Sequence, residues 1–400
     1  MNRNRSVVIA SILVGVLALS PTGASAADSS AITSAFSRLV TNKDMANPSV
    51  IVVDEVTGEV VYQANAYAPR KPASVIKLLS AMAAFTYLSP SDSFTTSLWS
   101  GVDTKSVVIQ GSLDPWISFD DKLAQKQQRT SLPRIEYNAL GRLKNANAGS
   151  TEGTTIYVSN LNPQEVRHIE AFLKERKAST KVVRTYPKFA QAKSANILLS
   201  STSPTLDVIV DWALTWSDNL VSERVARLAS VAAGNPLNSE GAALTFKAML
   251  TDMGLSTKNL VIKDASGLSH DNRITAKLVA DLLMIIYHNP KFSPLIEGFP
   301  IGGLTGTLQE RFIETAPQAI GLVRAKTGTL NGTTNLAGYV ESGDRQYIFV
   351  IIADRHNRSY TITKRVRAFV DRVLGRIAIP KLPDLLPITP VDTTTVTTEN

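Results

Sequence analysis

Three short runs in this chain carry residue types that could work together in acyl transfer. Ser74-Val75-Ile76-Lys77 sets a hydroxyl and an amine three residues apart, and on a helix that spacing brings both to one face. A serine is a weak nucleophile until a base takes its proton, and a lysine can be that base once desolvation or a nearby cation lowers its pKa. A helix start also aims free backbone N–H groups at the place where an oxyanion would form. Alone the run is weak. Ordinary Ser and Lys usage gives on the order of two chance matches in a chain this size, and a surface lysine behind a helix cap is the plainer reading.

Ser217-Asp218-Asn219 follows a segment containing Trp212 and Trp216. Residues two apart do not share a helix face, so Ser217 and Asn219 reach one cleft only from a turn between helices. There the Ser217 hydroxyl could relay protons between Lys77 and a leaving amine, and the Asn219 amide could bind a substrate carbonyl or steady Lys77. The competing reading is a cap, with Ser217 or Asp218 opening a helix over 220–232. Lys326-Thr327-Gly328-Thr329 lies in an alternating, strand-like segment. A cation and a hydroxyl beside a glycine suit an edge strand along which an extended peptide lies, with Lys326 and Thr327 on its carboxylate. A turn after Val323 is the alternative. In this order, on a helix start, a helix junction and a strand, the runs match the signature of the β-lactamase and penicillin-binding group.

The elements that must position them can be read from periodicity. Apolar residues at helical spacing predict helices over 32–40 and, after Pro72, from Ser74 to Leu88, while 49–62 reads as two strands around Thr57-Gly58. Between 89 and 203 short β-rich runs (95–99, 106–109, 154–158, 181–186) surround one polar-faced helix at 163–176. Helices return over 205–215, 220–232, 240–252 and 276–287. Strands over 321–329, 334–341 and 346–353 precede a closing helix over 361–377. Strands at both ends with helices between them predict an α/β (α+β) fold: one antiparallel sheet built from both termini, flanked by helices, and interrupted by a β-rich lobe. The expected boundaries are 27–88 and 204–379 for the main domain and 89–203 for the inserted lobe.

Residues 1–26 have the order of a secretory signal peptide: Arg3 and Arg5, an apolar run over 7–19, then Ala24-Ser25-Ala26 with cleavage after Ala26. The run is shorter than the roughly 20 residues a membrane span needs; a retained anchor is the alternative. The expectation is an exported, extracytoplasmic protein with at most peripheral membrane contact. Residues 380–400, rich in Pro and Thr, read as a disordered tail. There is no cysteine, which excludes disulfides and thiolate metal sites. His168, His270, His288 and His356 lack metal spacing, and His168 and His288 read as helix-surface residues. Trp212 and Trp216, four apart, read as core rather than a sugar platform. No metal or cofactor is expected. The formal charge of +8 comes from scattered Lys and Arg, which indicates a solvated surface rather than a nucleic-acid partner.

The chain resembles the class C low-molecular-mass penicillin-binding proteins, the serine D-alanyl-D-alanine carboxypeptidase and endopeptidase family, over about 49–376. Besides the three motifs, Ser203-Pro204, Trp216 and Leu220 around Ser-Asp-Asn, the run from Asp264 to Arg273, and Gly306-Thr307-Leu308 follow that family's order. Ser74 and Ser217 are 143 positions apart, room for the insert that separates this family from a plain β-lactamase. The pattern departs at Ala265 and His270, and the insert's glycine-rich run appears as Gly111-Ser112-Leu113-Asp114-Pro115. The resemblance implies a transpeptidase-like fold, a peptidoglycan stem peptide as substrate and β-lactam antibiotics as inhibitors. It also implies an acyl-enzyme on Ser74, with Lys77, Ser217 and Asn219 catalytic and Lys326, Thr327, Gly328 and Thr329 binding substrate. A β-lactamase would need a water-activating group such as the Glu of a class A loop, and none is visible between Asn219 and Lys326. A non-catalytic wall-binding module would have lost Ser74, Lys77 or the Lys-Thr-Gly run, and all are intact.

Overall fold

Every residue of Ser49–Asp54 is buried, as a strand covered on both faces requires. In the computed structural model, which describes residues 26–381, this is strand β1. It follows helix α1 (Ser29–Thr41) and pairs antiparallel with β2 (Val60–Ala64). The predicted signal segment before Ala26 and the predicted tail beyond Lys381 lie outside the described residues. A 3-10 turn (Ala73–Ile76) leads into α2 (Lys77–Tyr87), which is buried from Lys77 to Phe85. The sequence predicts one helix from Ser74. Instead the chain enters through Ala73 at φ +47° and winds tighter for one turn.

The next stretch holds β3 (Ser93–Gly101), β4 (Ser106–Gln110), α3 (Asp121–Gln127), α4 (Leu132–Ala146), β5 (Thr155–Ser159), α5 (Pro163–Glu175), β6 (Lys181–Arg184), α6 (Pro187–Lys193) and β7 (Ser194–Thr205). Its sheet has the order β6-β5-β4-β3-β7, parallel across β4, β5 and β6. The sequence predicts a β-rich lobe with one helix, and the structure adds α3, α4 and α6. Parallel neighbours need crossover segments, usually helical. The signals for α4 are present: Ser131 caps it, Pro133 lies in its first turn, and Ile135, Ala139, Leu140 and Leu143 are buried at helical spacing. The lobe has its own core around Leu98, Val107, Ile109, Ile156 and Ile169.

Helices α7 (Leu206–Thr215), α8 (Asn219–Ala232), α9 (Ser239–Asp252) and α10 (Ala276–His288) then join α2, and β8 (Val323–Leu330), β9 (Thr333–Ser342), β10 (Arg345–Ala353) and α11 (Tyr360–Gly375) follow. Because β10 pairs with β1, the sheet β2-β1-β10-β9-β8 draws on both ends of the chain. Alternation along each strand splits its side chains between two layers. Ile51, Ile348 and Val350 face the layer containing α2 and α7–α10, while Val52, Phe349 and Ile351 face α1 and α11. Side chains also cross between lobe and main domain. Trp116 packs into the core around α2, and Arg224 of α8 reaches Glu165 of α5 at 3.0 Å, both buried.

Candidate active site

Ser74 lies in the 3-10 turn and Lys77 opens α2. Residues three apart eclipse one another in such a turn, and Lys77 Nζ lies 3.0 Å from Ser74 Oγ. The ammonium also donates to Asn219 Oδ1 at 2.7 Å and to the Ser266 carbonyl at 2.5 Å. Neither of those oxygens has a proton to give. A neutral Lys77 therefore keeps its two N–H donors on them and turns its lone pair to Ser74 Oγ. Lys77 is 1% exposed. Burial lowers its pKa from 10.5 to about 8, while the carboxylates of Asp218, Asp264 and Glu223 act against that fall.

The loop carrying Ser266 is held by two acids. Asp264 accepts the N–H of Gly267 at 2.6 Å, the N–H of Ser269 at 2.5 Å and the Asn272 amide at 3.0 Å. Glu223 Oε1 accepts the N–H groups of Ala265 and Ser266 at 2.8 and 2.9 Å, and its Oε2 takes Arg227 at 3.1 Å. Both oxygens of Glu223 are thus engaged. Gly267 has φ +91°, and a Cβ there would meet the Ala73 carbonyl oxygen at 2.0 Å, so the loop can seat against the Ser74 turn only with glycine. Ala265, by contrast, is buried, has no positive φ and accepts the Ser80 hydroxyl at 2.8 Å. His270 is exposed.

Asp218 is the cap of α8, accepting the Val221 N–H at 3.1 Å. The turn it closes brings Ser217, at φ +57°, and Asn219, the first residue of α8, to one cleft. Ser217 Oγ accepts from Lys326 Nζ at 2.8 Å. Lys326 is completely buried and also donates to the Thr327 carbonyl at 3.1 Å. Burial first, then the charge of Lys77, pushes its pKa well below the ordinary value. The sequence expects Lys326 on the substrate carboxylate; here its Nζ is bonded to Ser217 Oγ and to the Thr327 carbonyl.

β8 is an edge strand of its sheet. The Val323 carbonyl and the Ala325 N–H point away from β9, to Gly302 at 2.8 Å and Pro300 at 2.9 Å. By the two-residue alternation Thr327 and Thr329 turn their N–H and C=O groups to the same side, which is the side of the cleft. A Cβ on Gly328 would meet the Pro72 carbonyl at 2.7 Å, so glycine lets β8 close on the turn holding Ser74. Ser74, Ser217, Asn219, Thr307, Thr327 and Thr329 line a cleft of about 280 Å³.

Sequence reasoning missed what the insert contributes. Arg129 Nη2 lies 2.9 Å from Asp218 Oδ2, and its guanidinium sits 4.1 Å from the Trp116 ring and 5.4 Å from Trp212. No local spacing connects residues 129 and 218, so only the fold reveals the contact. Asp114 accepts the Trp116 N–H at 2.7 Å and the Thr130 hydroxyl at 3.0 Å, and burial raises its pKa to about 7. His168 pairs with Glu136 and stacks on Phe119, and His356 bonds Thr334. Among the described residues no cluster fit to hold a metal ion is present.

The sequence pattern of the D-Ala-D-Ala carboxypeptidase 3 (S13) family matches residues 33–145 and 144–374. Carboxypeptidase DacB of Mycolicibacterium smegmatis is 25% identical over 367 residues, covering 81% of this chain and 80% of the relative. The D-alanyl-D-alanine carboxypeptidase of Actinomadura sp. is 30% identical over 173 residues, 42% of this chain and 32% of that one. Among solved structures, penicillin binding protein 4 of Haemophilus influenzae superposes with a TM-score of 0.63 at 17% identity, covering 87% of this chain and 98% of that one. A predatory peptidoglycan endopeptidase of Bdellovibrio bacteriovorus gives 0.55 at 14% identity, covering 86% and 96%.

Proposed function

This chain belongs to the D-Ala-D-Ala carboxypeptidase 3 (S13) family and is a serine peptidase of that class, and we propose that Ser74 is its nucleophile and Lys77 the base that activates it. The observation that carries the assignment is the set of partners on Lys77: two acceptors without protons fix a neutral amine so that its lone pair meets Ser74 Oγ. Lys77 takes the proton as Ser74 Oγ attacks the carbonyl of the penultimate D-alanine. The N–H of Ser74 and the outward N–H of Thr329 hold the oxyanion. The C–N bond then breaks, and the terminal D-alanine leaves with the proton, passed on by the Ser217 hydroxyl that Lys326 holds. Water then attacks the ester of Ser74; Lys77 takes the water's proton and returns it to Ser74 Oγ as the C–O bond breaks, which restores the enzyme.

The substrate is a peptidoglycan stem peptide lying along the free edge of β8, with Thr327, Gly328 and Thr329 on its C-terminal side. A β-lactam, a strained amide in the same place, acylates Ser74 and inhibits the enzyme. A second cleft of about 860 Å³ shares Thr307, Arg311, Thr329 and Arg367 with the first. That room favours a leaving group larger than alanine, hence endopeptidase action on crosslinks as well. Export by the segment ending at Ala26 would place the enzyme outside the membrane, where this substrate is. Among the described residues no helix is long and apolar enough to cross a membrane. We take 27–88 with 204–379 as the catalytic domain and 89–203 as its insert. Labelled penicillin should map to the Ser74 peptide, and mass spectrometry should find D-alanine released from a pentapeptide. Label that persists in Ser74→Ala sinks the assignment.

A further inference from the structure

The structure assigns to Arg367 of α11, rather than to Lys326, the reading of the carboxylate that ends the substrate, an inference that rests on the acyl-enzyme reading above. Four observations converge on it. Lys326 is completely buried, and its ammonium is committed to Ser217 Oγ at 2.8 Å and the Thr327 carbonyl at 3.1 Å. Two arginines line the cleft, Arg311 and Arg367, and no acid does. Arg311 is neutralised: its Nε lies 3.0 and 2.9 Å from the two oxygens of Asp371, and its Nη2 also contacts that carboxylate. Arg367 pairs with no carboxylate among the described residues, and its Nη2 donates to Thr329 Oγ1 at 3.2 Å.

That bond sets the charge beside Thr329, in the C-terminal half of β8. The Thr307 and Thr327 hydroxyls, 2.8 Å apart, line the same cleft. A carboxylate there takes hydroxyl donors from β8 and the charge-assisted N–H groups of a planar guanidinium, which matches its fork. Asp371 has a positioning role. Its oxygens are taken up by Arg311 and by the Thr315 hydroxyl at 3.1 Å, so it acts on Arg367 only through space and leaves the guanidinium N–H groups for the ligand.

The test compares the full-length enzyme with Arg367→Gln and Arg367→Lys on a peptide ending in D-Ala-D-Ala and on the same peptide amidated. Wild type should prefer the free acid. Arg367→Gln should lose about ten- to hundredfold of that preference in kcat/KM, the usual size of charge-assisted bonds to a carboxylate, with the loss appearing mainly in KM. Arg367→Lys should recover part of the preference. Lys326→Ala should lower turnover of both peptides and keep the ratio between them. Arg367→Gln with an intact preference, or with equal losses on both peptides, overturns the assignment of Arg367 and leaves the acyl-enzyme reading standing. Wild type that neither turns over the free acid nor takes penicillin on Ser74 overturns both.

Discussion

The two walls of the cleft each bury a lysine, and the two lysines are solvated in opposite ways. On the helical wall Lys77 has three acceptors at 2.5 to 3.0 Å and the carboxylates of Asp218, Asp264 and Glu223 nearby, and its pKa stops near 8. On the strand wall Lys326 has two acceptors and, as its principal charged neighbour, another lysine, and its pKa is pushed well below the ordinary value. Desolvation disfavours the charged form of both. What differs is whether the protein supplies anions in place of the lost water. The lysine with anions can cycle between charged and neutral near neutral pH, as a base must. The lysine without them serves to hold Ser217 in place.

The largest effect should come from removing the lysine that cycles. Lys77→Ala is expected to slow acylation by penicillin by about two to four orders of magnitude, the usual contribution of a general base, with folding retained; an unchanged rate would move the base elsewhere. Lys326→Ala removes a support rather than the base and should slow acylation by about tenfold, the size of one or two hydrogen bonds. A loss equal to that of Lys77→Ala would erase the distinction between the walls. Stopped-flow acylation measures both.

Arg129 should matter less, and by a different route. Arg129→Ala leaves the Asp218 carboxylate, largely buried, without its ion-pair partner and should cost about 1–3 kcal/mol in denaturant melts. With its counter-charge gone, Asp218 acts more strongly on Lys77, so the rise of acylation with pH should move to higher pH. A variant of wild-type stability would show that the insert's grip on Asp218 is idle. Asp114 is the inverse of Lys77, a buried acid whose pKa is raised. Between its unfolded value near 3.8 and about 7 the unfolded chain releases a proton that the folded chain keeps, so this residue lowers stability as pH rises through that window. Asp114→Asn should therefore lose less stability than wild type between pH 4 and 7 in urea melts. An identical dependence would place the titration elsewhere.

Much of this architecture is legible in the sequence because it rests on local order. The signature runs sit where periodicity puts a helix start, a helix junction and a strand, and the strands at both ends pair as their apolar runs require. What was not legible depends on three-dimensional packing. The α4 signals around Ser131 and Ile135 were present but hidden among β-rich neighbours. The bonds of Arg129 to Asp218 and of Glu223 to the Ser266 loop join residues 89 and 43 positions apart, and no periodicity reports such pairs. The sequence supplies the lysine of Lys-Thr-Gly but not the direction of its ammonium, which is set by how deeply β8 is buried against the Ser74 turn. That depth depends on Gly328 clearing the Pro72 carbonyl.

The central claim is that Lys77 is a base poised by burial against a set of carboxylates, and one measurement addresses it directly. The rate of Ser74 acylation by a labelled penicillin should be followed against pH in wild type and in Glu223→Gln. Glutamine keeps an oxygen for the N–H groups of Ala265 and Ser266 and removes one of the three carboxylate charges, after those of Asp218 and Asp264, that hold the Lys77 pKa up. Wild type should rise to a plateau with a midpoint near pH 8, and the variant should rise at lower pH toward a similar plateau. A midpoint that does not move, or that moves to higher pH, would contradict the account.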